Sequence, residues 1–364
     1  MSTHRPALLR APASAVSIVV LALCLNVPAA FSQSKSSLFR SDDLHVSVSD
    51  ADRASAQSAV RVYKHAYFSR TPVGLAARHQ AAQPHSAGAK KSSSAVAGDD
   101  FTQNPGDVTY QGGPTVAYAV SHAVYVNPGG ACTIASCWGD PEGFLDDLGE
   151  SDFIHVLDQY VGLFSSNRYT LGRRAVVTAP LVENPLSESD LIAILHGVVA
   201  KTGAGGYGNI YHLFLPPGVD TCFDAPANNV CYSPDNPATF AFCAYHNSVT
   251  YSDLGHVLFT VEPWQGPTSG CEDSPVGAPN GQLTDSTDDT LSHELFETIS
   301  DPDGDAWWND TNLALGGNEI GDECLFFGSD GFLILPTFFA DGHLYRTQSE
   351  YSNEKHACAI SPRF

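Results

Sequence analysis

Residues 285–302 read DSTDDTLSHELFETISDP and predict one capped helix of about four turns. Ser286, followed three residues later by Asp289, resembles a capping box at the start of this helix, and Pro302 ends it. At roughly 100° per residue, four apolar side chains fall on one arc and are expected to face the core: Leu291, Leu295, Phe296 and Ile299. The stretch therefore predicts an amphipathic helix that packs on the rest of its domain.

A second arc of the same helix carries side chains that can bind a metal ion or accept a proton. His293 and Glu297 are four residues apart, so both side chains lie on one face, as the two histidines of an H-E-x-x-H zinc helix do. Glu294 lies beside them, where zinc peptidases place the glutamate that acts as general base on water. The simpler interpretation of His293 and Glu297 is an exposed helical pair worth about 0.3 kcal/mol.

A catalytic metal ion requires a third protein ligand and an open position for water. The loop 317–324 (GNEIGDEC) supplies two candidates, Glu319 and Asp322, and the helix itself supplies Asp301. Glu319 is favoured, because a separate loop can complete a tetrahedron that a third ligand on one straight helix reaches poorly. Asp322 is assigned to the metal set as the residue that orients a ligand.

His246 ends the motif FCAYH (residues 242–246), which lies between two predicted strands. This histidine is a candidate catalytic residue, either as a fourth ligand or as a donor to the transition state. The ordinary alternative is a structural histidine whose hydrogen bonds are satisfied.

The ligand set also bears on the identity of the metal ion. One histidine with two carboxylates is a harder set than three histidines, so zinc is expected and calcium or manganese stays open. The alternating carboxylates of residues 301–305 (DPDGD) resemble a calcium loop. Ala306 and Asn312 stand where an EF-hand requires glycine and glutamate, so an EF-hand is excluded and another kind of calcium site stays open.

Apolar runs outside this helix predict further elements. Strands are expected at 116–126, 210–215, 239–245 and 256–261, and helices at 144–161, interrupted near Gly149, and at 191–200 after Ser187 and Asp190. Because helices alternate with strands, the predicted fold is α/β or α+β. We expect a zincin-like mixed sheet with an active-site helix and a disulfide-stapled C-terminal subdomain.

The charge distribution divides the chain. The 364 residues carry a net charge of −22, which makes nucleic acid an unlikely partner, yet most of the basic residues lie before residue 99. Residues 1–32 have a basic start, an apolar run and a small-x-small end, which predicts a signal peptide. The protein is therefore expected to be secreted, extracellular or periplasmic, with no stable membrane insertion after removal of the signal.

Residues 33–98 are rich in serine, alanine and glutamine, a composition typical of a disordered linker or a pro-segment. A weak amphipathic helix is predicted at 54–67. A flexible spacer is favoured over a pro-peptide that folds onto the domain. The folded domain is expected to span 99–364.

Eight of the nine cysteines follow the signal, and an even number in an exported chain indicates disulfide bonds. Eight cysteines allow 105 pairings, among which the sequence does not choose. Short loops favour Cys132 with Cys137 and Cys222 with Cys231, and two pairs would then remain: Cys243 with Cys271 and Cys324 with Cys358. The spacings contain no paired CxxC, so a thiolate zinc site is the weaker interpretation.

Several motifs in their order resemble the EXORDIUM or phosphate-induced protein family, over roughly residues 108–360. These motifs are YQGGP (110–114), FCAYH (242–246), SHELFE (292–297), WW (307–308), EIGD (319–322) and the tail to Cys358. Plant members usually have alanine where this chain has Phe296 and asparagine where it has Asp301. The resemblance implies an extracellular protein whose helix is similar to that of zincin-like metallopeptidases.

These features lead to two functional expectations. The first is a secreted metal-dependent hydrolase, a zinc metallopeptidase-like protein that acts on a peptide or on a cell-wall or other extracellular ligand. The alternative is a non-catalytic extracellular binding or signalling protein of the EXORDIUM type with a structural metal site.

Overall fold

A computed structural model describes residues 43–69, 73–74, 106–162, 168–181, 183–223, 229–309, 319–329 and 331–362. The predicted signal peptide at 1–32, and all but a few residues of 70–98, lie outside the described residues.

The described residues form a mixed α/β structure. Its strands are β1 (Leu44–Val46), β2 (Val60–Phe68), β3 (Thr109–Tyr110), β4 (Ala119–Val126), β5 (Tyr169–Leu171), β6 (Ala175–Val177), β7 (Leu186–Ser187), β8 (Asn209–Phe214), β9 (Thr221–Cys222), β10 (Cys231–Tyr232), β11 (Phe242–Tyr251), β12 (Gly255–Glu262), β13 (Trp307–Trp308), β14 (Thr337–Ala340), β15 (His343–Arg346), β16 (Glu350–Ser352) and β17 (Ala357–Ala359). Its helices are α1 (Asp50–Ser58), α2 (Ile134–Cys137), α3 (Pro141–Gly149), α4 (Asp158–Val161), α5 (Glu188–Thr202) and α6 (Gln282–Ser300).

One eight-stranded sheet runs through the structure in the order β1-β6-β4-β8-β12-β11-β2, with β5 pairing to β4. The strands from β1 to β12 are parallel, and β11 is antiparallel to both of its neighbours, β12 and β2. Parallel strands covered on both faces are apolar along nearly their whole length, as β4 is. Because it contains both parallel and antiparallel strand pairs, the sheet is mixed, as expected.

Helices cover both faces of this sheet. Because side chains alternate along a strand, Val124 and Val126 pack into one core with α1 and α5, whereas Ala123 and Tyr125 pack into the other. This second core contains side chains of α2, α3, α4 and α6 together with the hairpins β14–β15 and β16–β17. The helix α6 thus lies on the face of the sheet that also holds the C-terminal segments.

Most of the predicted elements are confirmed. The strands at 116–126, 210–215, 239–245 and 256–261 correspond to β4, β8, β11 and β12. The helix α5 begins at the predicted capping box of Ser187 and Asp190. The helical segment 144–161 is interrupted after Gly149, where a 3₁₀ turn precedes α4.

Residues 43–69 depart from the prediction of a disordered linker. They form β1, α1 and β2, and the two strands pair with β6 and β11 of the main sheet. The helix predicted at 54–67 is wrong beyond residue 58, because the run VRVYKHAYF is rich in β-branched and aromatic residues and finds a strand partner in β11. Asp52 of α1 also contacts His196 of α5, with Oδ1 of the aspartate 2.7 Å from Nδ1 of the histidine. This contact further joins the segment to the domain.

All four favoured cysteine pairs are present as disulfides: Cys132–Cys137, Cys222–Cys231, Cys243–Cys271 and Cys324–Cys358. The last of them joins the 3₁₀ turn Asp322–Cys324 to β17, so the C-terminal segments are stapled as expected. Four disulfides are compatible with an extracellular protein. Among the described residues, none of the helices combines the length and hydropathy needed to cross a membrane.

The packing of β2 into the sheet gives a first prediction. Ala66 is 1% exposed and Val60, on the same strand, is 64% exposed. Ala66→Asp places an unpaired carboxylate in the core, so we expect it to lower the free energy of unfolding by about 3 kcal/mol or more. Val60→Asp is the matched control and is expected to change it by less than about 0.5 kcal/mol. Urea unfolding of both variants measures the difference, and equal effects would show that β2 is not part of the core.

Candidate metal centre

The helix α6 begins earlier than its sequence predicts. It starts at Gln282 with Gly281 as its N-cap, so the predicted capping box at Ser286 is wrong. The Ser286 hydroxyl donates to the Gln282 carbonyl at 2.6 Å and accepts from the Asp273 amide at 2.9 Å. The predicted end is confirmed, because Asp301 is the C-cap residue, and its Oδ1 accepts from the Ala306 amide at 2.7 Å.

Every residue of α6 from Asp285 to Ser300 is buried, and not only the apolar arc. The side chains of His293, Glu294 and Glu297 have no exposed surface. An exposed helical pair is therefore the wrong interpretation of His293 and Glu297. Burying charged groups costs several kcal/mol unless opposite charges surround them, so their neighbours determine what the site does.

A first group of possible metal ligands contains His293, Glu297 and Asp322, whose ligand atoms lie within 4.8 Å of one another. His293 Nε2 is 3.2 Å from Glu297 Oε2 and 4.0 Å from Asp322 Oδ1. The Asp322 amide donates to Glu297 Oε1 at 3.2 Å, which orients the other oxygen toward the histidine. Two zinc ligands in a tetrahedron lie about 3.4 Å apart, so these distances suit a shared ion.

A second group contains His246, Glu297 and Glu319, again within 4.8 Å of one another. His246 projects from β11, and its Nε2 is 3.5 Å from Glu319 Oε2. Its Nδ1 is 3.2 Å from the hydroxyl of Thr298, which is on α6. The antiparallel strand β11 thus supplies a histidine to the same enclosed space as the helix.

The two groups contain His246 and the four residues assigned to the metal set, in a different combination from the one expected, and neither group includes the alternative candidate Asp301. Asp322 shares a group with His293, and Glu319 shares a group with His246. Glu297 belongs to both. The described residues therefore include groups of histidine and carboxylate that could hold a metal ion.

Close packing by the loop at 319–324 shapes the space around His293. A Cβ atom on Gly321 would lie 2.6 Å from His293 Nδ1 and 2.9 Å from Glu297 Oε1. The Gly321 carbonyl accepts from Gln348 Nε2 at 2.9 Å, which holds the loop in place. On another side Tyr67 of β2 stacks on the imidazole of His293 at a centroid distance of 4.7 Å.

Further carboxylates are buried nearby, and burial raises their pKa values. Burial raises the pKa of Glu262 to about 8 and that of Asp289 to about 7. It raises the pKa values of Glu294 and Glu350 well above their ordinary range, and nearby carboxylates raise them further. Burial alone would lower the pKa of His293, but Glu297, Glu294 and Asp322 outweigh burial and raise it well above its usual value. Carboxylates in such surroundings bind protons unless a cation is present.

Two of these carboxylates were not found by sequence reasoning. Glu262 ends the strand β12, and Glu350 begins β16. An acidic residue at the end of an apolar strand is a weak signal for Glu262. Glu350 has no local signal, because only the path of the chain brings β16 beside α6.

The loop 301–305, for which a calcium site stayed open, makes contacts with the sheet. Asp303 accepts from the Ser248 hydroxyl at 2.6 Å, lies 3.2 Å from His256 Nε2, and also accepts from the hydroxyl of Tyr207. Among the described residues, neither group with metal-ligand spacing includes a residue of this loop. The loop therefore joins the end of α6 to the sheet.

Comparison of the chain with protein-family models, with curated proteins and with solved structures gives no match in any of the three. The relationship to the EXORDIUM family stays a proposal based on the ordered sequence motifs.

The close approach of Gly321 gives a second prediction. Gly321→Ala inserts a methyl group against His293 and Glu297, and we expect a loss of about 1–3 kcal/mol in the free energy of unfolding. Gly208→Ala is the control, since a Cβ atom there meets nothing within 4 Å. Thermal and urea unfolding measure both variants. Equal stability of the two would contradict the tight packing of the loop on the centre.

Proposed function

We propose that this protein is a secreted metal-dependent hydrolase of the metallopeptidase kind. The observation that carries the proposal is the carboxyl group of Glu294. It is fully buried, and neither of its oxygens has a hydrogen-bond partner among the described residues. Leaving a buried polar group unbonded costs about 1–3 kcal/mol, and such costs are typical of groups kept for function.

The proposed roles follow from positions on α6 and on the 3₁₀ turn Asp322–Cys324. His293, Glu297 and Asp322 hold the ion, with zinc expected and manganese or calcium still open. A bound divalent ion lowers the pKa of water and polarises a carbonyl group. Glu294 is next to His293 in the chain, and we assign to it the proton that leaves the attacking water. The water oxygen bonds to the carbonyl carbon, and the proton passes from Glu294 to the leaving amine as the peptide C–N bond breaks.

The architecture supports this proposal in a general way. A helix with a His-Glu pair packs against a mixed sheet, and an antiparallel strand beside it supplies His246. We infer a zincin-like build from this arrangement. His246 is then placed to assist as a further ligand or as a donor to the transition state.

A second candidate function is favoured by the enclosure of the site. The side chains of all five possible ligands are at most 2% exposed. A closed site that contributes to folding is typical of structural metal ions. In this alternative the protein is an extracellular binding or signalling protein of the EXORDIUM type, and the ion stabilises α6 and its loop.

The role of Glu294 gives a third prediction. Glu294→Gln keeps the shape of the side chain but removes the base, so we expect the zinc-loaded variant to lose 10²- to 10⁴-fold in kcat/KM on fluorescent casein. Its metal content is expected to stay that of the wild type. Glu354→Gln, at an exposed glutamate, is the control and is expected to keep full activity.

The same variants separate the two functions. For a structural site, removal of the ion lowers the melting temperature of wild type and of Glu294→Gln alike, and neither hydrolyses the substrate. Hydrolysis that survives in Glu294→Gln would contradict the assigned base. A protein that binds no divalent ion would contradict both functions.

A further inference from the structure

We propose that the centre is dinuclear, with the carboxylate of Glu297 bridging two divalent cations. His293 and Asp322 hold the first cation, and His246 and Glu319 hold the second. The inference rests on the proposed metal function and extends it, because a single ion is all that the function requires.

The shared position of Glu297 is the first argument. Glu297 is the one residue common to both ligand groups that the described residues form. Its Oε2 lies 3.2 Å from His293 Nε2, while its Oε1 accepts from the Asp322 amide. Two-metal hydrolytic sites hold their ions about 3.5–4 Å apart, a distance that one bridging carboxylate spans. One residue fixed between two histidine–carboxylate pairs is the arrangement expected of such a bridge.

The hydrogen bonds around His246 are the second argument. The Thr298 hydroxyl donates to the carbonyl of Glu294 at 2.6 Å, so it accepts at 3.2 Å from Nδ1–H of His246. The other ring nitrogen of His246, Nε2, lies 3.5 Å from Glu319 Oε2, so a cation placed between these two atoms would be bound by both. Fixing the outer nitrogen of a ligand histidine in this way is typical of metal centres.

The balance of charge is the third argument. Seven carboxylates in and around the centre are at most 2% exposed: Glu262, Asp289, Glu294, Glu297, Glu319, Asp322 and Glu350. Arg346 offsets part of the charge on Asp289. Each bound divalent ion allows two of these carboxylates to lose their protons, so a pair of ions accommodates four ionised carboxylates.

Several buried atoms of the centre have unused hydrogen-bonding capacity, and this observation is independent of the acidic cluster. Among the described residues, no hydrogen bond reaches His293 Nδ1, Glu297 Oε2 or either oxygen of Glu294. All three side chains have no exposed surface. Buried polar atoms in native proteins are nearly always satisfied, so this many in one place indicates ligands that belong there. The donor set of imidazole and carboxylate suits zinc or manganese.

A metal count tests the second ion and gives a fourth prediction. The full chain is stripped with a chelator, dialysed against zinc and analysed for metal per folded chain. We expect about two ions in the wild type and about one in His246→Ala, which removes a ligand of the second ion only. His293→Ala is expected to retain about one ion, held by His246 and Glu319. His356→Ala is the control, since this histidine is 73% exposed, and it is expected to retain two.

A spectroscopic measurement on the wild type covers the case in which a variant fails to fold. Manganese-loaded protein is expected to give the electron paramagnetic resonance spectrum of an exchange-coupled pair. A spectrum of isolated manganese, or one zinc ion per wild-type chain, overturns the dinuclear centre. If Glu294→Gln still abolishes hydrolysis in that case, the proposed function stands without the second ion. Absence of any bound ion overturns the inference and the proposed function together.

Discussion

The ion pair of His293 and Glu297, buried on one helix, is the constraint on which the rest of this centre depends. Neither side chain has exposed surface, and their Nε2 and Oε2 atoms lie 3.2 Å apart. Charges removed from water require partners on every side, because the cost of burial reaches several kcal/mol per ion. The amide of Asp322, the glycine at 321 and the ring of Tyr67 all meet this pair.

The remainder of the fold positions those partners. The antiparallel strand β11 brings His246 beneath α6, and the neighbouring β12 ends at Glu262. The loop that holds Glu319 and Asp322 packs on the helix, and its far end is joined to β17 by the disulfide of Cys324. The candidate metal site thus takes its residues from a helix, a strand and a cross-linked loop, each held in place by its own packing.

Much of the fold was predictable because its signals are local. Apolar runs located β4, β8, β11 and β12, and short loops favoured the cysteine pairs that form. Two predictions are wrong at positions where contacts with residues distant in the sequence determine the local structure. Ser286 has the spacing of a cap, but its hydroxyl is bound to Asp273 and Gln282, so α6 begins one turn earlier. Residues 60–68 have weak helical spacing, yet they pair with β11 and form a strand.

The sequence by itself determined that His293 and Glu297 share one face of a helix with Glu294 beside them, since spacing along a helix is a local property. Only the tertiary structure decided that the helix is wholly buried, that Asp322 joins His293, and that Glu319 joins His246. The physical reason is distance along the chain. His246 and Glu319 come from opposite sides of α6 in the sequence, and the pairing of β11 within the sheet and the packing of the loop bring them together.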